Sequence, residues 1–173
     1  MTMVIQRKEY MNKLIAFKDK QLIKVITGIR RCGKSTLLEI YQNWLLEHGT
    51  EKAQILSINF EDIDFEELTD YRRLYSYLKE RLVPGKVTYI FLDEIQHVED
   101  FPKVVDSLYI KKNVDIYITG SNAYMLSGEI ATLISGRYVQ IEMLPLSFKE
   151  YMESTGSMAD RGVKYAEYLE NSS

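Results

Sequence analysis

Residues 28–36 read Gly-Ile-Arg-Arg-Cys-Gly-Lys-Ser-Thr and satisfy the spacing G-x-x-x-x-G-K-[ST]. Gly28 and Gly33 allow the backbone to curl until consecutive N–H groups converge on one point, which suits a β-phosphate at a helix N-terminus. Lys34 would then neutralise charge on the β- and γ-phosphates, and the Ser35 hydroxyl would ligate Mg²⁺. Thr36 falls in the first helical turn, within reach of an α-phosphate. Ile29 and Cys32 are expected to lend only backbone to the cradle. Arg30 and Arg31 have three destinations open to them: phosphate, a neighbouring subunit, or solvent.

A second cluster answers the first. Residues 89–94, YIFLDE, are an apolar run that ends in two carboxylates. Asp93, placed beside Ser35, would hold Mg²⁺ directly or through water. Glu94 would polarise a water for attack on a γ-phosphate. Among phosphate-loop proteins, a GTPase needs Asp-x-x-Gly here and an Asn-Lys-x-Asp to read guanine. The chain has Asp93-Glu-Ile-Gln and no such base-reading motif. Small-molecule kinases have less need of a water-activating Glu. The "LSGE" at 126–129 imitates a transporter signature but follows the acidic run instead of preceding it.

Three further positions join the constellation conditionally. "ITGSN" ends the run at 114–119, and a strand inserted between the loop strand and the acidic strand would carry Ser121 or Asn122 to the γ-phosphate. Gly-Ser-Asn is also ordinary turn chemistry. Asn59 would reach Glu94 if their strands are neighbours. Arg137, in "SGRY", falls at the opposite edge of the sheet, since a helix must return the chain there before the next parallel strand starts. If catalytic, Arg137 acts in trans on a neighbour's nucleotide; otherwise it is a cation near the negative end of a helix.

The elements that would position these groups alternate along the chain. Residues 22–27, 53–60, 87–93, 114–119 and 138–143 are rich in β-branched and aromatic side chains and predict strands. Residues 34–47, 65–82, 101–112 and 124–135 have helical spacing of apolar positions. Alternation of this kind means crossover connections, hence a mostly parallel sheet covered by helices on both faces. Residues 138–143 alternate apolar and polar, which suggests a half-exposed edge strand. Residues 148–153 and 163–169 turn helical and polar, too short to build a second core. Asp64 is placed to cap the helix expected from Phe65. Trp44 and the tyrosines read as packing, and the two histidines offer no zinc site.

The 173 residues suffice for one domain with a real core. A single cysteine excludes an internal disulfide and fits a reducing cytoplasm. The formal net charge of −3 gives no global basic footprint for nucleic acid, which leaves a local patch open. No apolar run reaches the roughly 20 residues that span a bilayer, so no membrane partner is expected. The first residues lack a small-residue cleavage site and do not read as a signal peptide.

The phrases "VITGIRRCGKSTLL", "INFED", "YIFLDEIQ" and "YITGSNAYMLSGEIATLISGRYVQIEMLPLSFKEY" resemble the N-terminal core of a widespread prokaryotic group of AAA+ superfamily ATPases, which carry a C-terminal domain of unknown function. The resemblance covers residues 3–155. It implies an α/β three-layer P-loop NTPase of the AAA+ (ASCE) type, a five-stranded parallel sheet of order 5-1-4-3-2, and ATP as the nucleotide. It implies Lys34 and Ser35 as the Walker A pair, Asp93 and Glu94 as the Walker B pair, Ser121 and Asn122 as the first sensor, and Arg137 as the arginine finger. Residues 1–155 are then the ATPase core and 156–173 a short helical or disordered tail. Members of the group typically continue into a helical lid or winged-helix region, which brings a second sensor arginine and part of the adenine pocket.

Two functions of different class follow. One is a Mg-dependent ATPase core that hydrolyses ATP to ADP and phosphate when assembled as a homo-oligomer. The other is a nucleotide-binding switch or interaction module that reports ATP or ADP occupancy with little turnover. A DNA-associated motor rests on superfamily analogy alone.

Overall fold

Five strands, β1 (Ile23–Gly28), β2 (Ile55–Asn59), β3 (Thr88–Asp93), β4 (Val114–Gly120) and β5 (Tyr138–Met143), form one sheet in which every neighbour pair is parallel. The computed structural model describes residues 7–121, 125, 132, 134–148, 150, 152, 165 and 169. The strand order is β2-β3-β4-β1-β5, the order implied by the resemblance, read from the other edge. Each expected strand is present within two residues of its predicted start and one of its end.

Because side chains alternate across a strand, each central strand feeds two cores. Ile90 and Leu92 of β3, with Ile116 and Ile118 of β4, pack under α3 (Tyr71–Glu80) and α4 (Phe101–Tyr109). Tyr89 and Phe91, with Tyr117, face α1 (Lys8–Phe17) and α2 (Lys34–Glu47) on the other side. The result is three layers. β1 and β3 are buried along their whole length, whereas β2 and β5 are partly exposed, as edge strands are. Each fully buried Phe, Leu or Ile contributes about 1.5–3 kcal/mol, so the strands that carry the loop and the acidic pair rest on the firmest part of the molecule.

Three local features differ from expectation. The helix predicted over 65–82 is divided. A 3₁₀ stretch covers Ile63–Thr69, and α3 begins only after Asp70, whose extended backbone and carboxylate cap the N–H groups of Arg72 and Arg73 at 3.0 Å. The apolar period runs through the break because Leu68, Tyr71, Leu74 and Leu78 keep three- and four-residue spacing on both sides of it. Asp64 is not a cap: Asp62 fills that position and accepts from Asp64 N. Helix α1 is an addition to the expected elements; its Tyr10, Met11 and Leu14 are buried against α2 and β5. The helices expected over 124–135, 148–153 and 163–169 lie largely outside the described residues.

Beneath α1 and α2, toward the amino edge of the sheet, lies a buried polar network. Lys24 and Asp115 form an ion pair with almost no exposure. Asp115 also accepts from Tyr117 OH and Asp19 N, and Tyr117 OH is 2.8 Å from Tyr41 OH. Burial pulls the Lys24 ammonium below its ordinary pKa and pushes the Asp115 carboxyl above its own, and their attraction opposes both shifts.

Candidate functional site

In a parallel sheet all strands end at one edge, and here that edge collects Gly28, Asn59, Asp93, Gly120 and Met143. The loop between β1 and α2 turns above it. Gly33 stands as the N-cap of α2 with φ of 93°, and Arg31 also has positive φ, at 64°. Gly28 is required by close approach. A Cβ there would lie 2.5 Å from Cys32 Sγ and 2.7 Å from the Met143 carbonyl oxygen. Cys32 thus does more than lend backbone, since its buried side chain packs under the loop. Ser35 and Thr36 are exposed at the helix start, where unpaired N–H groups and the helix dipole favour an anion.

The Lys34 side chain folds back into this loop. It is only 4% exposed, its Nζ donates to the carbonyls of Gly28 at 3.3 Å and Ile29 at 3.2 Å, and it lies 3.5 Å from Glu94 Oε1. Arg30 is exposed and pairs with Glu61 at 3.4 Å; Arg31 is exposed as well.

The acidic pair is held by a residue that the sequence did not single out. Asp93 and Thr119 share the α2 face because β3 and β4 pair in register, Leu92 opposite Ile118. The Thr119 hydroxyl donates to Asp93 Oδ1 and accepts from Glu94 N at 2.9 Å. Glu94 has left-handed backbone, φ 56° and ψ 50°, a conformation that non-glycine residues adopt only where surroundings enforce it. Gln96 Nε2 donates to Glu94 Oε2, and Gln96 Oε1 is buried without a hydrogen-bond partner among the described residues. Thr119 and Gln96 both sit inside quoted motifs, "ITGSN" and "DEIQ"; the strand register reveals the first and the 3₁₀ turn Ile95–His97 the second.

The remaining predicted positions divide. β4 does lie between β1 and β3, and Ser121 follows it directly at the same edge. Asn122 lies outside the described residues. Asn59 is a register neighbour of Asp93, yet its Oδ1 accepts from Glu61 N, so it does not hold Glu94 as expected; the chain turns after β2 and draws the amide back onto its own loop. Arg137 is at the opposite, amino edge, where its carbonyl accepts from Ile23 N. Its guanidinium is 47% exposed and pairs with Asp106 of α4 at 3.0 Å.

The donor set fits Mg·ATP. A Gly28 that admits no Cβ, a buried cation inside the loop and the exposed first residues of α2, Ser35 and Thr36, suit a polyphosphate. The Ser35 hydroxyl and Asp93 carboxylate are hard oxygen donors of the kind Mg²⁺ takes. Among the described residues no group of three or more His, Cys, Asp or Glu forms a metal cage, and none of the helices is long and apolar enough to cross a membrane.

A glycine loop between a strand and a helix, answered by an acidic pair at the end of the second strand away, defines a nucleotide-binding P-loop fold of the ATPase type. The chain belongs to the AAA domain family, whose model matches residues 20–152. It is 43% identical over 171 residues to an uncharacterized protein of Haemophilus influenzae, covering 95% of this chain and 42% of that protein. An uncharacterized protein of Methanocaldococcus jannaschii is 36% identical over 136 residues, 76% of this chain and 28% of its own length. The chain therefore spans less than half the length of these curated relatives. Among solved structures, Hsp104 in a closed state with ATPγS and casein aligns with a TM-score of 0.63 at 18% identity, over 87% of this chain and 29% of that one. Caenorhabditis elegans PCH-2 aligns with 0.56 at 15% identity, over 83% and 43%. These two likenesses concern the fold, that of an AAA+ ATPase core.

Proposed function

We propose that this core binds Mg·ATP and hydrolyses it to ADP and phosphate when assembled with further copies of itself. The observation that carries the reading is the joint placement of Lys34, Asp93 and Glu94 at one edge of the sheet, with Lys34 buried and 3.5 Å from Glu94. Loop N–H groups and Lys34 receive the β- and γ-phosphates, and Ser121 and Asn122 serve as the first sensor of the γ-phosphate. Ser35 and Asp93 hold Mg²⁺, which supplies charge neutralisation on the phosphate oxygens. Glu94 takes a proton from the attacking water as its general base. Since the ATP phosphates are a better partner for Lys34 than a carboxylate it barely touches, binding frees Glu94 for that task.

Arg137 completes the site of a neighbour. It sits at the sheet edge opposite its own loop, exposed and, among the described residues, held by a surface ion pair and the Tyr109 ring, and a surface pair of this kind is worth about 0–1 kcal/mol. Release toward a neighbour's γ-phosphate is therefore cheap. Residues 1–155 form the working core, and a cytoplasmic setting suits its nucleotide. The solved Hsp104 complex contains ATPγS, which agrees with ATP as ligand here.

A second reading has one observation behind it. Glu94 contacts Gln96 and Lys34, and Arg137 pairs with Asp106, partners that a nucleotide-dependent switch would exchange on binding. Phosphate release measured across protein concentrations separates the two. Turnover that rises with concentration, and is lost in Glu94→Gln and Arg137→Ala, supports assembly-dependent hydrolysis. Tight ATP binding without turnover at any concentration would leave the switch.

A further inference from the structure

Arg7 precedes α1 and is 8% exposed, an unusual place for a guanidinium unless its charge and donors are matched. They are. Nη1 donates to the Cys32 carbonyl at 3.2 Å and the Leu144 carbonyl at 2.7 Å, and Nη2 reaches the Pro145 carbonyl at 3.5 Å. Nε donates to Glu150 Oε1 at 3.0 Å and Nη2 to Oε2 at 3.4 Å, a fork-on-fork pair. The cation also lies 4.5 Å from the centroid of the Tyr10 ring, whose hydroxyl accepts from Leu144 N. One side chain thus joins the start of α1, the glycine loop, and the segment that leaves β5.

The bond to Cys32 matters most for the loop. In a trans peptide the C=O and the following N–H point in opposite directions. With the Cys32 carbonyl held by Arg7 in a buried hydrogen bond, the N–H of Gly33 is turned away from Arg7. Gly33 needs its positive φ for the same turn. We infer that Arg7 is a positioning residue for phosphate: it fixes the Cys32–Gly33 peptide so that the loop's N–H groups are aimed at the β-phosphate before the nucleotide arrives, with Leu144, Pro145 and Glu150 as its anchor. This rests on the nucleotide-binding reading of the loop. Such preorganisation is absent from the G-x-x-x-x-G-K-[ST] pattern, because the residue that provides it lies 25 positions from the peptide it holds.

Titration of Mg·ADP into wild type, Arg7→Ala, Arg7→Lys and Glu150→Gln, each first shown folded by circular dichroism, tests the inference. Arg7→Ala is expected to weaken Mg·ADP binding about tenfold or more, the scale of one lost charge-assisted hydrogen bond. Arg7→Lys keeps the charge but cannot span the Cys32 and Leu144 carbonyls together, so a comparable loss is expected; it carries the test should the alanine variant not fold. Glu150→Gln should lose less, since the carbonyl contacts remain. Competition with AMP distinguishes positioning from general damage: AMP, without a β-phosphate, should bind Arg7→Ala about as it binds wild type. Folded Arg7 variants that bind Mg·ADP as wild type does would overturn the inference and leave the nucleotide reading intact, as would equal losses for ADP and AMP. Wild type that binds no Mg·ADP would overturn both.

Discussion

Lys34 Nζ lies 3.5 Å from Glu94 Oε1, the first at the N-terminus of α2 and the second just past the end of β3. Both are largely withdrawn from water, with side-chain exposures of 3% and 14%. The contact is long, and the hydrogen bonds of Lys34 go instead to the Gly28 and Ile29 carbonyls, so the proposed reaction needs only that Lys34 turn from these to the phosphates. A polyphosphate, with more charge and more acceptor oxygens, is the partner that can draw it away.

Removal of Lys34 should show this directly. Lys34→Ala is expected to weaken Mg·ATP binding by about 100-fold or more, the loss of a charge-assisted contact in a buried site. Glu94 keeps its Gln96 contact in that variant, so the fold should survive. Isothermal titration with Mg·ATP, alongside a thermal melt, checks both halves.

Thr119 is the next test, because its hydroxyl serves Asp93 and Glu94 at once. Thr119→Val removes the hydroxyl with little change of shape and leaves the Glu94 N–H without that acceptor. A stability loss of about 1–3 kcal/mol is expected. Phosphate release should fall roughly tenfold to 100-fold while ATP affinity changes little, since the loop is untouched. Thr119→Ser, which keeps the donor, should restore most of the rate. Unchanged turnover in the folded valine variant would remove Thr119 from the account.

The amino-edge network makes a prediction about stability alone. Lys24→Met leaves Asp115 buried without its cation and is expected to cost about 3–5 kcal/mol in urea unfolding. Pairing it with Asp115→Leu should recover part of that loss, because an apolar pair of similar volume relieves the buried charge. The loop is at the other edge of the sheet, so nucleotide affinity of the folded double variant should match wild type.

Glu150 supplies a pH dependence. Burial raises its pKa, but the Ser147 N–H and hydroxyl and the Arg7 guanidinium outweigh that and hold the carboxyl below its ordinary value. A depressed carboxyl stabilises the folded state above its unfolded pKa of about 4.3 and loses that contribution as pH falls through the folded value. The stability difference between wild type and Glu150→Gln should thus be full at neutral pH and shrink below about pH 4.3. A difference that persists unchanged at acid pH would contradict the assignment.

The sequence was most informative where many residues repeat one signal. α2 is bounded by its glycine and its apolar period, and β3 is an uninterrupted apolar run, so both were legible almost residue by residue. The division at Asp70 was not, because the apolar period continues through it while a single carboxylate decides the backbone. α1 carries three buried apolar residues among charges, too weak a period to stand out. Thr119 and Arg7 depend on strand register or on contacts with residues distant in the chain, which no local pattern encodes, and Gln96 reaches Glu94 only through the 3₁₀ turn that follows β3. Asn59 shows the reverse: the strands are neighbours as supposed, but the side chain is claimed by its own turn.

The central claim is a base in cis and an arginine in trans, and mixing two inactive variants tests it most directly. Glu94→Gln lacks the base but offers Arg137, and Arg137→Ala keeps the base but offers no finger. Each alone should bind Mg·ATP and release little phosphate, and an equimolar mixture should regain up to about one quarter of the wild-type rate, the share of randomly paired interfaces that hold both groups. A mixture as inactive as its parts, under conditions where wild type turns over, would contradict it.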